Sequence, residues 1–269
     1  MPSFLDAMFS QLDEQIQLTE EDRARFELRA NEVMKILAGA NFITECSIIG
    51  SFTRKTALRE LSDVDLLAVT TTRSSDSTPP PASVLSKIAD TVEARGRQVE
   101  RGNIAVTVRY PKNPSVDILP ALSIKPAGHY LIPEYGNHWQ EFEPSKLDHI
   151  VNTLTVQLGP EVRTIIRLLK YWNQNKNVGL ISSDIEEIVC IILLRHRAIP
   201  EYMAAVSEVF DFILDWAIDS SESIEAIGRR CRSESIDRTL AITAEGRALT
   251  LKSEDASETQ SSFREIFGV

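Results

Sequence analysis

Residues 50–69 read GSFTRKTALRELSDVDLLAV. The stretch opens on a glycine and a serine and closes on VDLLAV, a branched and apolar run that reads as a buried strand. Into that run the chain places Asp63 and Asp65. Residues i and i+2 of a strand share a face, so the two carboxylates project side by side while Val64 and Leu66 point the other way. Two ionised carboxylates held that close repel, and burial sharpens the repulsion. A divalent cation resolves it. Mg²⁺ prefers hard oxygen ligands and commonly binds through one or two carboxylates plus substrate phosphates. Two such ions, about 3.5–4 Å apart, activate an attacking hydroxyl and stabilise a leaving oxygen. Asp117, in SVDILPAL (residues 115–122), is the candidate third carboxylate. The Gly50–Ser51 turn can offer backbone N–H groups and a hydroxyl to the outer phosphates of a nucleotide. The plainer alternative makes Asp63 a strand-start cap and Asp65 an exposed edge residue. Ser51 is a poor acyl-transfer nucleophile: the stretch is not G-x-S-x-G, and none of the four histidines is near it in sequence.

The chain around this stretch has 269 residues, 43% hydrophobic and 25% charged, an ordinary globular composition. No run of eighteen apolar residues suggests a membrane span. The opening MPSFLDAMFSQLDEQ has no basic region followed by an apolar one, so it does not read as a secretory signal. The three cysteines, Cys46, Cys190 and Cys231, are scattered, which fits a reducing cytoplasm better than disulfides or a metal cluster. The net charge of −10 argues against an extended nucleic-acid platform and for a small substrate.

Two regions differ in pattern. Thr19 followed by EED and an apolar repeat at Phe26, Ala30, Val33 and Leu37 predicts a capped amphipathic helix ending at Gly39. CSIIG and DVDLLAVT read as strands, VLSKIADTVEAR as a helix, and NIAVTVRY and SVDILPAL as β-rich runs joined by a PKNP turn. RSSDSTPPPAS (73–83) reads as a loop. From about residue 145, KLDHIVNTL, PEVRTIIRLLKYWNQN, SDIEEIVCIILLRHR, EYMAAVSEVFDFILDWAI and SIEAIGRRC all read as helices. KSEDASETQSS (252–262) reads as a loop before a last short helix. The expectation is an α+β chain: a lobe over 1–144 with a long N-terminal spine helix and a small mixed sheet, then a helical lobe over 145–269.

The motif GSFTRKTALRELSDVDLL resembles the G-S…D-x-D signature of the DNA polymerase β-like nucleotidyltransferases, with Asp117 in VDILPA at the third acidic position. The finer resemblance is to the cGAS/DncV-like nucleotidyltransferases of bacterial CBASS anti-phage systems, relatives of oligoadenylate synthetase. HYLIPEYGNHWQEFEPSKL, IIRLLKYWNQNKNVGLISSDIEEIV and the closing SFREIFG carry it. The resemblance implies a two-lobed fold with an oligoadenylate-synthetase-like C-terminal lobe. It implies a template-independent enzyme that joins ATP, GTP or other NTPs into a cyclic or linear second messenger, releasing pyrophosphate. A separate effector protein would sense the product.

Residue by residue, the resemblance assigns Gly50 and Ser51 to the donor triphosphate. It assigns Asp63, Asp65 and Asp117 to two Mg²⁺ ions, with Mn²⁺ as a substitute, and places Asp117 nearest the acceptor hydroxyl. It assigns Lys170 and Ser182 to the triphosphate from the helical lobe. On that helix, Arg163, Arg167 and Lys170 form one polar stripe. His138 beside Trp139 is a candidate pocket lining, and Tyr130 and Tyr135 are candidates for base stacking, each against a plain packing role. Arg195, His196 and Arg197 are expected to complement a helix C-terminus. No zinc-binding spacing is present among the histidines. Two rivals remain: the same chemistry on tRNA, a protein or an aminoglycoside, and a catalytically silent nucleotide-binding regulator.

Overall fold

The elements follow in the order α1 (Phe4–Ile16), α2 (Glu20–Ala38), β1 (Ile43–Ile49), α3 (Ser51–Arg54), β2 (Val64–Thr70), α4 (Pro81–Glu93), β3 (Val99–Arg101), β4 (Val106–Val108), β5 (Val116–Ile124), β6 (His129–Glu134) and β7 (His138–Phe142). Helices α5 (Pro144–Leu158), α6 (Glu161–Asn175), α7 (Ser182–Leu193), α8 (Tyr202–Ile218) and α9 (Ala256–Phe267) complete the chain. This computed structural model describes residues 4–71, 78–112, 114–124, 127–134, 137–199, 201–218, 244–245, 247 and 256–269. The chain packs as two units, Leu18–His149 and Met1–Gln17 with Ile150–Val269.

In the first unit, Thr19 starts α2 as its sequence predicts. Its Oγ1 accepts the Asp22 amide N–H at 3.1 Å, and Asp22 Oδ2 accepts the Thr19 amide at 3.0 Å, a reciprocal capping box. Phe26, Ala30, Val33 and Leu37 are buried on one face of this helix. They pack with Val84, Leu85, Ile88, Ala89 and Val92 of α4 against one face of the sheet. That face is built by Val64, Leu66 and Ala68, by Val106 and Val108, and by Val116 and Ile118. The other face carries Leu67, Val69, Ala121 and Ile132. Alternation therefore puts Asp65 and Asp117 on the face turned away from α2 and α4.

The described residues form a seven-stranded sheet of order β1-β2-β5-β4-β3, with β6 joined to β5 and β7 to β6. The β2–β5 pair is parallel, in register at Asp65–Asp117, and the other pairs are antiparallel. Strands β3, β6 and β7 go beyond the sequence expectation. The segment HYLIPE…HWQEF folds back as a hairpin and extends the sheet to Phe142. Tyr130 packs with Phe142 beside Ile132, so its place is in the second-face core. Trp139 donates its indole N–H to the Pro79 carbonyl at 2.8 Å while His138 stays exposed, which favours packing over pocket lining. Tyr135 and Cys231 lie outside the described residues, as does the helix expected over 223–231.

The second unit gathers α1, α6, α7, α8 and α9 around aromatic contacts. Phe9 is fully buried and meets Phe263 and Phe267 edge-on at 4.9 and 5.7 Å, and Trp172 meets Phe210 at 4.8 Å. The grouping differs from a simple split at residue 144. Residues up to Gln17 join the C-terminal helices through Phe9, and the division falls within α5. Helix α9 begins at Ala256, so 256–262 is helix where a loop was expected. Burial of Phe263, Ile266 and Phe267 on one face outweighs the polar composition of its first turns.

The basic stripe on α6 is also corrected. Arg167 is buried against Asp13, its Nε donating to Oδ1 at 2.6 Å, and Thr164 Oγ1 donates to the same carboxylate at 2.8 Å. Lys170 is 2% exposed, with its Nζ 3.1 Å from the buried Glu186. Only Arg163 remains at the edge, donating to Asn152 Oδ1 at 2.8 Å. His196 pairs with Glu208 at 2.8 Å, a link from the end of α7 to α8. No described helix is long and apolar enough to cross a membrane.

Candidate active site

Strand β1 pairs with β2 so that Ile49 stands opposite Asp65, and Gly50 follows at once. Gly50 has φ +82° and ψ −152°, a conformation open in practice to glycine alone. A Cβ built on it would lie 2.2 Å from Asp65 Oδ2. The backbone thus passes directly over a carboxylate, and only the missing side chain permits this. Gly50→Ala is expected to cost roughly 1–3 kcal/mol of stability from backbone strain alone. It should also displace Asp65, so turnover should fall with it. Denaturant midpoints and rates on the same preparation check both.

Ser51 then opens the single turn α3, whose first amides have no partner within the turn. The loop beyond is tied at several points. Phe52 stacks on Phe26 of α2 at 5.4 Å, and Thr56 donates its amide to the Ser51 carbonyl at 2.9 Å. The buried Arg54 pairs with Asp148 at 2.8 Å. Ala57 and Leu58 enter the core, and Ser62 Oγ accepts the Leu58 amide at 2.8 Å. The loop is pinned so that its two ends, Gly50–Ser51 and Asp63, return to the same sheet edge.

Asp63 stands just ahead of β2. Its Oδ1 accepts the Ser115 amide N–H at 2.9 Å, and the Ser115 carbonyl accepts the Val64 amide at 3.0 Å. The strand-start capping role is therefore real, and it leaves the carboxylate within electrostatic reach of Asp117. Asp65 and Asp117 are register partners on adjacent parallel strands, about 4.8 Å apart by strand spacing. Asp117 is also opposite Thr107 of β4, whose Oγ1 donates to Asp117 Oδ1 at 2.5 Å. Burial pushes the Asp117 carboxyl above the usual carboxylate range, and the charge of Asp63 pushes it further. The Thr107 hydrogen bond and Arg109 oppose the rise.

An acid raised in the folded state disfavours its own ionised form. Its cost to stability is present above the folded pKa and disappears as pH falls to the unfolded value. Asp117→Asn should therefore raise the melting temperature of the metal-free protein at neutral pH. Roughly 2–4 °C is expected, the response of a chain this size to the ~1 kcal/mol that relieving functional-site strain commonly returns. The gain should vanish in acid, where Asp117 itself is protonated. A melting series from pH 7.5 downward checks the sign.

Thr107, Arg109 and Ser115 were not anticipated. Alternation in AVTVRY does put Thr107 and Arg109 on the face opposite Val106 and Val108. Only the β4–β5 register, which no local pattern encodes, brings them to Asp117. Lys170 and Ser182 belong to the other unit. Ser182 is the first residue of α7, and Lys170 is held by Glu186.

Among the described residues, no three or more His, Cys, Asp or Glu side chains form a ready-made metal cage. The donors nevertheless suit Mg²⁺. Asp63, Asp65 and Asp117 supply hard carboxylate oxygens, and the Asp117 carboxyl, pushed up by burial and then by the charge of Asp63, is one that a cation would relieve. Mg²⁺ habitually completes such a partial set with substrate phosphates.

Residues 4–153 match the family of Second Messenger Oligonucleotide or Dinucleotide Synthetase domains. A Bacillus cereus (strain VD146) protein named a probable cyclic nucleotide synthase is 26% identical over 191 residues, covering 58% of this chain and 56% of its own length. The chain thus spans little more than half of that relative. The Escherichia coli MS115-1 CdnC structure with ATP superposes with a TM-score of 0.79 at 17% identity, over 100% of this chain and 98% of that one. Vibrio cholerae DncV, a cyclic AMP-GMP synthase in complex with the linear intermediate pppA(3′,5′)pG, gives a TM-score of 0.67 at 12% identity, over 96% and 93%. At these identities the two structures speak for the fold: the two-lobed α+β architecture expected from sequence. With the domain match covering residues 4–153 and the glycine–serine loop and carboxylates described above inside it, the chain belongs to the second messenger oligonucleotide or dinucleotide synthetases, the cGAS/DncV-like nucleotidyltransferases.

Proposed function

We propose that this chain is a template-independent nucleotidyltransferase that condenses NTPs into a cyclic or linear oligonucleotide messenger. The observation that carries the reading is the register of Asp65 and Asp117 beneath Gly50, with Asp63 fixed by Ser115 within electrostatic reach of Asp117. Gly50 and Ser51 would receive the donor triphosphate on their backbone N–H groups and the Ser51 hydroxyl. Asp63, Asp65 and Asp117 would hold two divalent ions, Mg²⁺ or Mn²⁺, which when bound neutralise the triphosphate and lower the cost of an alkoxide. Asp117, the carboxyl that burial makes the more basic, is suited to take the proton from the attacking ribose hydroxyl. That oxygen forms a bond to the α-phosphorus, and the bond from the α-phosphorus to the bridging oxygen breaks. Pyrophosphate leaves. A second transfer within the linear product would close a ring.

Lys170 and Ser182 as further triphosphate contacts rest on the family resemblance. So do the division of labour between a catalytic lobe and a helical lobe and a separate effector in a CBASS anti-phage system, while a cytoplasmic setting rests on the scattered cysteines. The test is incubation of the purified protein with Mg²⁺ and all four NTPs, followed by phosphatase and mass spectrometry. A phosphatase-resistant oligonucleotide together with pyrophosphate is the expected result. Nucleotide binding with no pyrophosphate, in the presence of tRNA or aminoglycoside acceptors as well, would sink the reading.

A further inference from the structure

Ser115 is bonded to Asp63 and to the residue after it. Its N–H donates to Asp63 Oδ1 at 2.9 Å, and its carbonyl accepts the amide of the next residue, Val64, at 3.0 Å. Ser115 is itself 4% exposed. It ends the connection from β4, and that connection is gripped where it starts. The Arg109 amide donates to the Gln98 carbonyl at 3.0 Å. Its guanidinium Nε donates to Glu100 Oε2 at 3.0 Å, and Nη1 reaches Ser115 Oγ at 3.4 Å.

Tyr110, the next residue, is held against the spine helix. The Arg29 guanidinium lies 3.9 Å from its ring centroid and that of Arg97 lies 5.8 Å away. Its hydroxyl donates to Glu32 Oε2 at 3.2 Å. Glu32 in turn faces Arg97 at 3.5 Å and Arg29 at 4.0 Å. Among the described residues, Arg29 Nε is a buried donor without a hydrogen-bond partner. The ring face beneath the guanidinium is the contact that compensates it.

The geometry points to Arg109 and Tyr110 as positioning residues. Together they clamp Ser115, and through the Ser115 amide they fix the Asp63 carboxylate in the orientation that receives the cation and the triphosphate. The inference rests on the reading of Asp63 as a metal ligand given above. Its physical basis is that a ligating carboxylate with one oxygen already held by a fixed donor has its other oxygen aimed in advance. Removing such outer supports typically weakens metal affinity 10–100-fold.

The sign of the effect separates this role from a simple charge effect. Arg109 is a cation near Asp63 and Asp117. Deleting its charge would by Coulomb attraction alone tighten cation binding. A clamp predicts the reverse.

The experiment measures Mn²⁺ binding to the full chain by electron paramagnetic resonance, with a non-hydrolysable ATP analogue at saturation. Arg109→Gln and Tyr110→Leu are each expected to raise the Mn²⁺ dissociation constant about tenfold. Tyr110→Phe keeps the ring between the two guanidinium groups and should stay within about twofold. In Arg109→Gln, the loss of turnover should shrink as Mg²⁺ is raised to saturation, a metal-dependent rescue that a general loosening of the fold would not give. Equal or tighter Mn²⁺ binding by Arg109→Gln overturns the clamp, and this surface variant decides the matter if Tyr110→Leu does not fold. Asp63→Asn is the control. Its loss of Mn²⁺ binding beside an unaffected Arg109→Gln refutes the clamp alone. Unchanged binding in Asp63→Asn itself refutes the metal-ligand reading.

Discussion

Asp63→Asn/Asp65→Asn is expected to lose product formation by about 10³-fold or more while keeping its fold. Asparagine is nearly isosteric with aspartate, and its Oδ1 can still accept the Ser115 amide that Asp63 accepts at 2.9 Å. The close approach of Gly50 to the Asp65 side chain is likewise preserved in shape. What disappears is the negative charge that would bind a divalent cation. Because these charges repel one another in the metal-free protein, the melting temperature of the double variant should be equal to or above that of wild type. Rates and melting curves on one sample separate the two effects. Undiminished turnover would show that the chemistry takes place elsewhere. A large drop in melting temperature would show that the carboxylates serve the fold.

Lys170→Met should lower stability by about 3–5 kcal/mol, the usual cost of leaving one member of a buried ion pair without the other. Lys170 is 2% exposed and Glu186 fully buried, with 3.1 Å between Nζ and Oε1. The substitution keeps most of the side-chain volume and takes the cation away from the buried Glu186 carboxylate. Melting should fall by on the order of 10 °C. Lys170→Met/Glu186→Leu removes both charges, and well-packed apolar replacements of such pairs are often neutral. The double variant should therefore recover much of the loss in denaturant titrations. The result also tests the role implied by the resemblance. A Lys170→Met protein of unchanged stability but weakened NTP binding would make Lys170 a phosphate ligand first and a packing element second.

The two carboxylate-bearing strands and the helix ahead of them could be read from local patterns. Thr19 and Asp22 form a capping box whose partners are three residues apart. DVDLLAVT separates Asp65 from Val64 and Leu66 by alternation alone. The glycine–serine turn was legible as a phosphate cradle, although the reason for the glycine was not. That reason is the Asp65 side chain fifteen positions on, which meets Gly50 only through the β1–β2 register.

Long-range pairing hid the rest. The α6 pattern shows Arg163, Arg167 and Lys170 at helical spacing, and a solvated stripe and a row of buried ion pairs look alike there. Asp13 and Glu186 decide between them from 154 and 16 residues away. Helix α1 was unassigned because its aromatic anchor, Phe9, packs on Phe263 and Phe267 at the far end of the chain. The β6–β7 hairpin was missed because HYLIPE and HWQEF alternate poorly. Its place comes from the pairing of Leu122–Ile124 with His129–Leu131.

Crystals grown with Mn²⁺ and a non-hydrolysable ATP analogue would test the central claim most directly, by anomalous diffraction at the manganese edge. The account predicts anomalous density against the carboxylates of Asp63, Asp65 and Asp117, with the triphosphate resting on Gly50 and Ser51. A nucleotide bound away from Gly50, with the three carboxylates holding no manganese, would contradict it.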